Sequence, residues 1–312
     1  MRAVTFDDGA VRVEDHPDPT PGGAEVLVRV RAAGLNGADL MQLRGLYPAP
    51  PGWPEDIPGL ELAGEVAALG PGATRFAVGD RVMAVVGGGG QAELIAVHER
   101  LAMPVPEELD WEAAGGVPEV FTTAHDALFT QGNLRAGERL LVHGAAGGVG
   151  TAAIQLGQMA GARVTASVRN EASRARIAAL GVLAIAPEGF EEAGPFDVIL
   201  ELVGAPNMPG NLNALAMLGR ICVIGVGAGP KAEVNLLALM AKRGSIHAST
   251  LRARSLEDKA TAARLVEKVV LPGFVSADLS VPVARAFALD DAAGAYAFFQ
   301  ESGKLGKVVL TL

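Results

Sequence analysis

The chain contains a single cysteine, Cys222, and only five histidines in 312 residues. One cysteine excludes an internal disulfide framework and any structural zinc site built on several cysteines. Cys222 lies in an apolar strand and is expected to be buried and inert. His16, His98, His125, His143 and His247 show no paired ligand spacing, so no metal site is expected from histidine either. Lysine plus arginine number 26 against 35 aspartate plus glutamate, a net charge of −9. That balance argues against nucleic acid or another polyanion as partner. No apolar run approaches the ~20 residues a membrane span needs, so no membrane association is expected. Met1 to Phe6 is followed directly by Asp7-Asp8-Gly9, which does not read as a signal peptide. A cytoplasmic location is the expectation.

What the chain does have is length, glycine and apolar residues. Its 312 residues are about twice the ~150 of a modal domain, which predicts two domains. Half the residues are hydrophobic, enough for a sizeable core, and 40 are glycine. The first hundred residues read as short strands broken by turns. Residues 1–6 and 11–16 form a predicted hairpin, and Val26, Val28 and Val30 alternate with Leu27, Arg29 and Arg31. Further strands are predicted at 61–69, 80–86 and 91–98, together a small, partly closed barrel or irregular sheet. Residues 47–59 carry five prolines and must be stiff, either a surface connection or the rigid wall of a pocket. Gly87 to Gly90 are expected to make a tight connection.

From about residue 117 helix and strand alternate. Helices are predicted at 119–130, 148–160, 171–180, 209–217 and 233–243, and strands at 139–143, 163–168, 196–203, 219–226 and 245–250. This rhythm predicts a doubly wound parallel sheet with helices on both faces. A long helix after residue 255 leads to the final strand 307–312, which is assigned to the first domain. The predicted domains are therefore 1–116 with 256–312, and 117–255.

The strongest local signal is His143-Gly144-Ala145-Ala146-Gly147-Gly148-Val149-Gly150, lying between a strand and an amphipathic helix. Glycines 144, 147 and 150 are spaced by three, which departs from G-x-G-x-x-G, but the strand–turn–helix context is met. Absent side chains let the backbone approach a pyrophosphate, and a helix N-terminus offers unpaired N–H groups there. Gly144, Gly147, Gly148, Val149 and Gly150 are thus assigned to a dinucleotide. The second strand of this unit ends Ser167-Val168-Arg169-Asn170, without the acid that holds a ribose 2′-OH. Arg169, with Arg174 one helical turn on, can instead pair with a 2′-phosphate. NADPH is therefore preferred to NADH.

These segments resemble the zinc-less quinone oxidoreductases of the medium-chain dehydrogenase/reductase superfamily. Ala33-Gly34-Leu35-Asn36-Gly37-Ala38-Asp39 with Arg44-Gly45-Leu46-Tyr47-Pro48 is similar to the family signature G-L-N-x-x-D…R-x-G-x-Y-P. The glycine motif, Gly219-Arg220-Ile221 and Gly306-Lys307-Val308-Val309-Leu310 also fit. Gly150-Thr151-Ala152-Ala153-Ile154-Gln155-Leu156 and Leu251-Arg252-Ala253-Arg254-Ser255 resemble the p53-inducible branch. The resemblance implies a GroES-like catalytic domain, a Rossmann domain, NADPH and a homodimer. It implies that Tyr47 lines the nicotinamide and substrate cleft with Asn36 beside it, as the catalytic pair. It places Thr123 near the cofactor, Gly225, Val226 and Gly227 along the dinucleotide, and Thr250 and Leu251 near the nicotinamide. Family residues on the adenine side are replaced by Gly147, Ser173 and Pro187, so NADPH selectivity rests on Arg169 and Arg174.

Zinc relatives in the superfamily hold their metal with a cysteine and Gly-His-Glu. This chain has Asn36 and Gly59-Leu60-Glu61 at those places, so a metal-free site is expected. Without a Lewis acid the acceptor must take hydride readily, as quinones do. Reduction of activated C=C bonds in enals or enones is the second reading, and a crystallin-like NADPH-binding protein with little turnover is the third. An exposed sheet edge at 245–250 is expected to join two copies.

Overall fold

The computed structural model describes residues 1–312, which divide into two compact units. The first comprises Met1–Thr122, Leu251–Glu301 and Lys307–Leu312, and the second Thr123–Thr250 and Ser302–Gly306.

In chain order the strands are β1 (Arg2–Asp7), β2 (Ala10–Asp15), β3 (Glu25–Gly34), β4 (Glu61–Leu69), β5 (Arg81–Val85), β6 (Leu94–His98), β7 (Ala102–Pro104), β8 (Arg139–Val142), β9 (Arg163–Ser167), β10 (Leu183–Ile185), β11 (Phe196–Glu201), β12 (Leu215–Val223), β13 (Ser245–Ala248), β14 (Val283–Ala288) and β15 (Lys307–Thr311). The helices are α1 (Gly37–Leu43), α2 (Trp111–Gly115), α3 (Pro118–His125), α4 (Gly148–Met159), α5 (Glu171–Ala178), α6 (Met208–Ala214), α7 (Leu236–Ala241), α8 (Leu256–Val269), α9 (Leu271–Val275) and α10 (Ala292–Gln300).

The first unit is built on a sheet ordered β14-β15-β3-β4-β5-β7, with β6 also paired to β3. Strand β3 is its centre because alternate residues bury: Val26, Val28 and Val30 are almost inaccessible while Arg29 is exposed. The C-terminal strand β15 runs antiparallel to β3, with Leu310 opposite Ala33. The glycine run after β5 is a packing device as well as a turn. A Cβ on Gly87 would lie 2.5 Å from the Trp53 ring, so the proline-rich stretch rests directly on bare backbone.

The second unit carries six parallel strands in the order β10-β9-β8-β11-β12-β13. This is the doubly wound order, with its switch point between β8 and β11. A turn that follows either strand at its C-terminal end faces the crevice where ligands bind in such sheets.

Several boundaries differ from the sequence reading. The helix predicted at 209–217 stops at Ala214, and β12 starts at Leu215, paired to Phe196. Leu218 takes φ of 61°, a left-handed conformation that no α-helix accommodates, and the β11–β12 register shifts there. The helix predicted at 119–130 is α-helical only to His125 and continues as a π-helix over Asp126–Gln131. Strand β13 ends at Ala248 rather than at residue 250. No helix is long and apolar enough to cross a membrane.

Candidate active site

In the second unit the glycine motif forms the turn from β8 into α4. Gly144 has φ of 60°, and a Cβ on Gly150 would fall 2.5 Å from the Ala145 backbone, so both positions require glycine. Gly147 is the N-cap of α4, no side chain caps that end, and the first turn carries no acid. The opening amides of α4, at Gly148, Val149 and Gly150, therefore have no intrahelical acceptor and no side-chain substitute. Such an end is suited to a phosphate.

The turns after β11 and β12 close on the same edge. A Cβ on Gly144 would meet Leu202 at 3.4 Å, and one on Gly225 would overlap the Leu202 carbonyl oxygen. Gly227 has open space around it. Gly144 and Gly225, which the sequence reading proposed separately, thus pack against the same residue, Leu202. Arg169 is exposed just past β9. Arg174 is half-buried on α5, and its Nε is buried with no hydrogen-bond partner. Thr123 is buried on α3, and Thr250 is exposed two residues beyond β13. Leu251 is buried but belongs to the first unit.

Asn36 and Tyr47 lie in the first unit, with contrasting surroundings. Asn36 is the N-cap of α1, and its backbone N–H donates to Asp39 Oδ2 at 2.8 Å. Its side-chain Nδ2 donates to Glu61 Oε1 at 2.9 Å and approaches the Gly34 carbonyl at 3.4 Å. Its Oδ1 accepts from Lys307 Nζ at 2.8 Å. Lys307 also donates to the Leu35 carbonyl at 2.8 Å and to Glu61 Oε1. The other Glu61 oxygen accepts the backbone N–H of Glu119 at 2.8 Å. Glu61 is fully buried and Lys307 is 3% exposed. The Asn36 amide is thus directed at protein acceptors, Glu61 and the Gly34 carbonyl. Gly34 is required here, since a Cβ would run into Glu61 Oε1.

Tyr47 is half-buried, and its hydroxyl makes no hydrogen bond within the protein. Burial, then the nearby Glu119 charge, raises its phenol pKa, while the Arg252 charge opposes them. Arg252 is 4% exposed and donates to the carbonyls of Gly87 and Tyr47, each at 2.7 Å, and to Gln42 Oε1 at 2.6 Å. Its guanidinium lies 5.1 Å from the centre of the Tyr47 ring. Arg252 thus fixes the Tyr47 backbone and ring at once, with no carboxylate among these hydrogen-bond partners. Sequence reasoning assigned roles to neither Arg252 nor Lys307. The available signal was Lys307 opening the apolar run Lys307-Val308-Val309-Leu310; nothing local singled out Arg252.

The zinc implied by relatives of this architecture does not fit these residues. Asn36, which the resemblance sets in the place of the cysteine, and Glu61, retained from Gly-His-Glu, both hold the Lys307 ammonium, and Leu60 takes the place of the histidine. Nowhere do three or more His, Cys, Asp or Glu gather as a metal site would require. Cys222 is buried in β12, and burial pushes its thiol up to about 12.

Residues 22–107 match the alcohol dehydrogenase GroES-like domain, and residues 148–268 match the zinc-binding dehydrogenase domain. The chain is 32% identical over 335 aligned positions to the quinone oxidoreductase of Rattus norvegicus, covering 100% of this chain and 98% of that one. It is 31% identical to the quinone oxidoreductase of Pseudomonas aeruginosa, over 95% of this chain and 94% of the other. The crystal structure of Pseudomonas syringae quinone oxidoreductase superposes with a TM-score of 0.89 at 27% identity, covering 100% and 99% of the two chains.

Proposed function

The chain belongs to the quinone oxidoreductase family of the medium-chain dehydrogenase/reductase superfamily, and from that premise we propose that it transfers reducing equivalents from NADPH to quinones without a metal ion. The observation that carries the metal-free part is the Lys307 ammonium seated on Asn36 and Glu61. With those donors committed, no Lewis acid polarises an alcohol or ketone. A quinone needs none, because reduction makes its ring aromatic.

Bound NADPH supplies the reducing equivalents. The opening amides of α4 would donate to its pyrophosphate, and Gly225 and Gly227 would leave room for its sugar-phosphate backbone. Arg169 and Arg174 would hold the 2′-phosphate; the buried Arg174 Nε has no partner within the protein. Tyr47 offers a flat ring for stacking and a free hydroxyl that donates to the developing oxyanion. The Arg252 charge close to that ring favours the same anion. Asn36 acts through Glu61 and Lys307 as a positioning residue.

A second copy of the chain is the proposed partner. Strand β13 is the outer strand of its sheet, and Leu236, Leu237 and Met240 of α7 are 67–74% exposed. An open edge with apolar residues in the same unit favours a symmetric pair over a solvated surface.

Steady-state rates of wild type, Tyr47→Phe and Tyr47→Ala on a panel of quinones, enals and enones test the activity. Quinones should turn over fastest. Tyr47→Phe should lose about 1–2 kcal/mol in kcat/KM, and Tyr47→Ala more, chiefly for large quinones. Turnover of enones alone would move the assignment to C=C reduction. Tight NADPH binding with no turnover would leave a binding protein.

A further inference from the structure

We propose that Glu201 is a positioning residue for the dinucleotide, bracing the turns after β11 and β12 while an Asn211 relay holds His143 in its Nε2–H tautomer. The inference rests on the dinucleotide reading above, and its residues lie outside the glycine motif and the arginines already assigned.

Glu201 is the last residue of β11 and is fully buried. Its Oε1 accepts the backbone N–H of Val203 at 2.7 Å, that of Gly204 at 2.8 Å, and Asn207 Nδ2 at 3.3 Å. Its Oε2 accepts Asn211 Nδ2 at 2.8 Å. The main-chain oxygen of the same residue accepts the N–H groups of Ile224 and Gly225, both at 3.0 Å. One residue therefore ties down its own turn with its side chain and the next turn with its backbone. The Leu202–Gly204 turn abuts Gly144 on one side and Val226 with Gly229 on the other. Loss of the carboxylate would strand four donors in a buried site, two of them backbone amides of the ligand-facing edge.

The relay follows from donor and acceptor inventory. The Glu201 carboxylate oxygens accept from all four of their partners, Asn211 Nδ2 among them, so Asn211 turns its NH2 to Glu201 and its oxygen to His143. That oxygen lies 2.8 Å from His143 Nε2, which therefore carries the proton. His143 Nδ1 is then a bare acceptor, and it is buried without a partner. A protonated ring would need an acceptor there that the site does not provide. Burial accordingly lowers the His143 pKa, against the opposing charges of Glu201 and Glu191 and the Asn211 hydrogen bond. The ring is further fixed edge-on to Phe190, with centroids 4.6 Å apart.

The test pairs calorimetric NADPH binding with 15N spectra of labelled histidine, for wild type, Glu201→Gln and Glu201→Leu. In wild type, His143 should show a protonated Nε2 and a bare Nδ1 from about pH 6 to about pH 8. In Glu201→Gln the glutamine keeps its oxygen on the two backbone amides and turns its NH2 to Asn211. Asn211 must flip, and His143 should change to the Nδ1–H tautomer. Glu201→Leu, which leaves the Val203 and Gly204 amides without their acceptor, should lower NADPH affinity by about tenfold or more, whereas Glu201→Gln should keep most of it. Unchanged affinity in a folded Glu201→Leu, or wild-type His143 in the other tautomer, would overturn the proposal. If Glu201→Leu does not fold, the wild-type spectrum alone still decides the relay. Wild type that binds no nicotinamide dinucleotide would instead remove the dinucleotide reading, and this inference with it.

Discussion

Lys307 and Glu61, 246 residues apart in the chain, form a buried ion pair. Asn36 bridges them, donating to the carboxylate and accepting from the ammonium.

Breaking that pair from one side leaves an uncompensated buried charge. Lys307→Met or Glu61→Gln alone should cost about 3–5 kcal/mol of stability. The double variant should cost clearly less than the sum. Urea denaturation of the four proteins measures this directly. Additive losses would mean that the two charges do not rely on each other.

Asp39 sets a pH dependence. Burial pushes its carboxyl from 3.8 up to about 6, against the opposing Asn36 N–H, the Lys307 charge and the Gly59 N–H. A folded pKa above the unfolded value means that the folded state holds this proton more tightly. The stability it contributes is full below about pH 4 and is lost as pH rises through about 6. At about 1.36 kcal/mol per pKa unit, the change is about 3 kcal/mol. Asp39→Asn does not titrate. Its unfolding free energy relative to wild type should therefore improve by roughly that amount between about pH 4 and about pH 7. A constant difference across the series would place the Asp39 pKa at its ordinary value.

Arg169 should decide between the two nicotinamide cofactors. Arg169→Ala should raise the NADPH KM by the equivalent of about 1–3 kcal/mol and leave the NADH KM nearly unchanged. Kinetics with both cofactors at saturating acceptor provide the readout. Equal losses would show that Arg169 does not meet the 2′-phosphate.

The edge of β13 should carry the dimer. Ala248→Pro removes a ladder donor and should weaken association, seen as a shift toward monomer by light scattering at micromolar protein. Wild type that is monomeric at that concentration would exclude the pairing.

Local patterns made much of the architecture readable. Val26, Val28 and Val30 fixed the inner face of β3 because a pleated strand alternates its side chains. The glycine run from β8 into α4 was readable from its spacing and strand–turn–helix context, with Gly144 held at a left-handed φ and Gly150 against the Ala145 backbone. Long-range partnerships were not. Nothing near Asn36 says that its amide is taken by Lys307, since the pairing exists only once β15 lies beside β3. Arg252 reads as a surface arginine until the turns carrying Gln42, Tyr47 and Gly87 converge on it. The start of β12 was misread for a local reason. Met217-Leu218-Gly219 suits a helix end, but the left-handed φ of Leu218 lies within the strand.

Quinone reduction by this protein should need NADPH and no metal. The deciding measurement is kcat/KM for a simple benzoquinone with NADPH, before and after exhaustive chelation, with zinc determined on the same sample. The predicted result is robust turnover, unchanged by chelation, from protein holding no stoichiometric zinc. Activity lost on chelation and restored by one zinc per chain would contradict it.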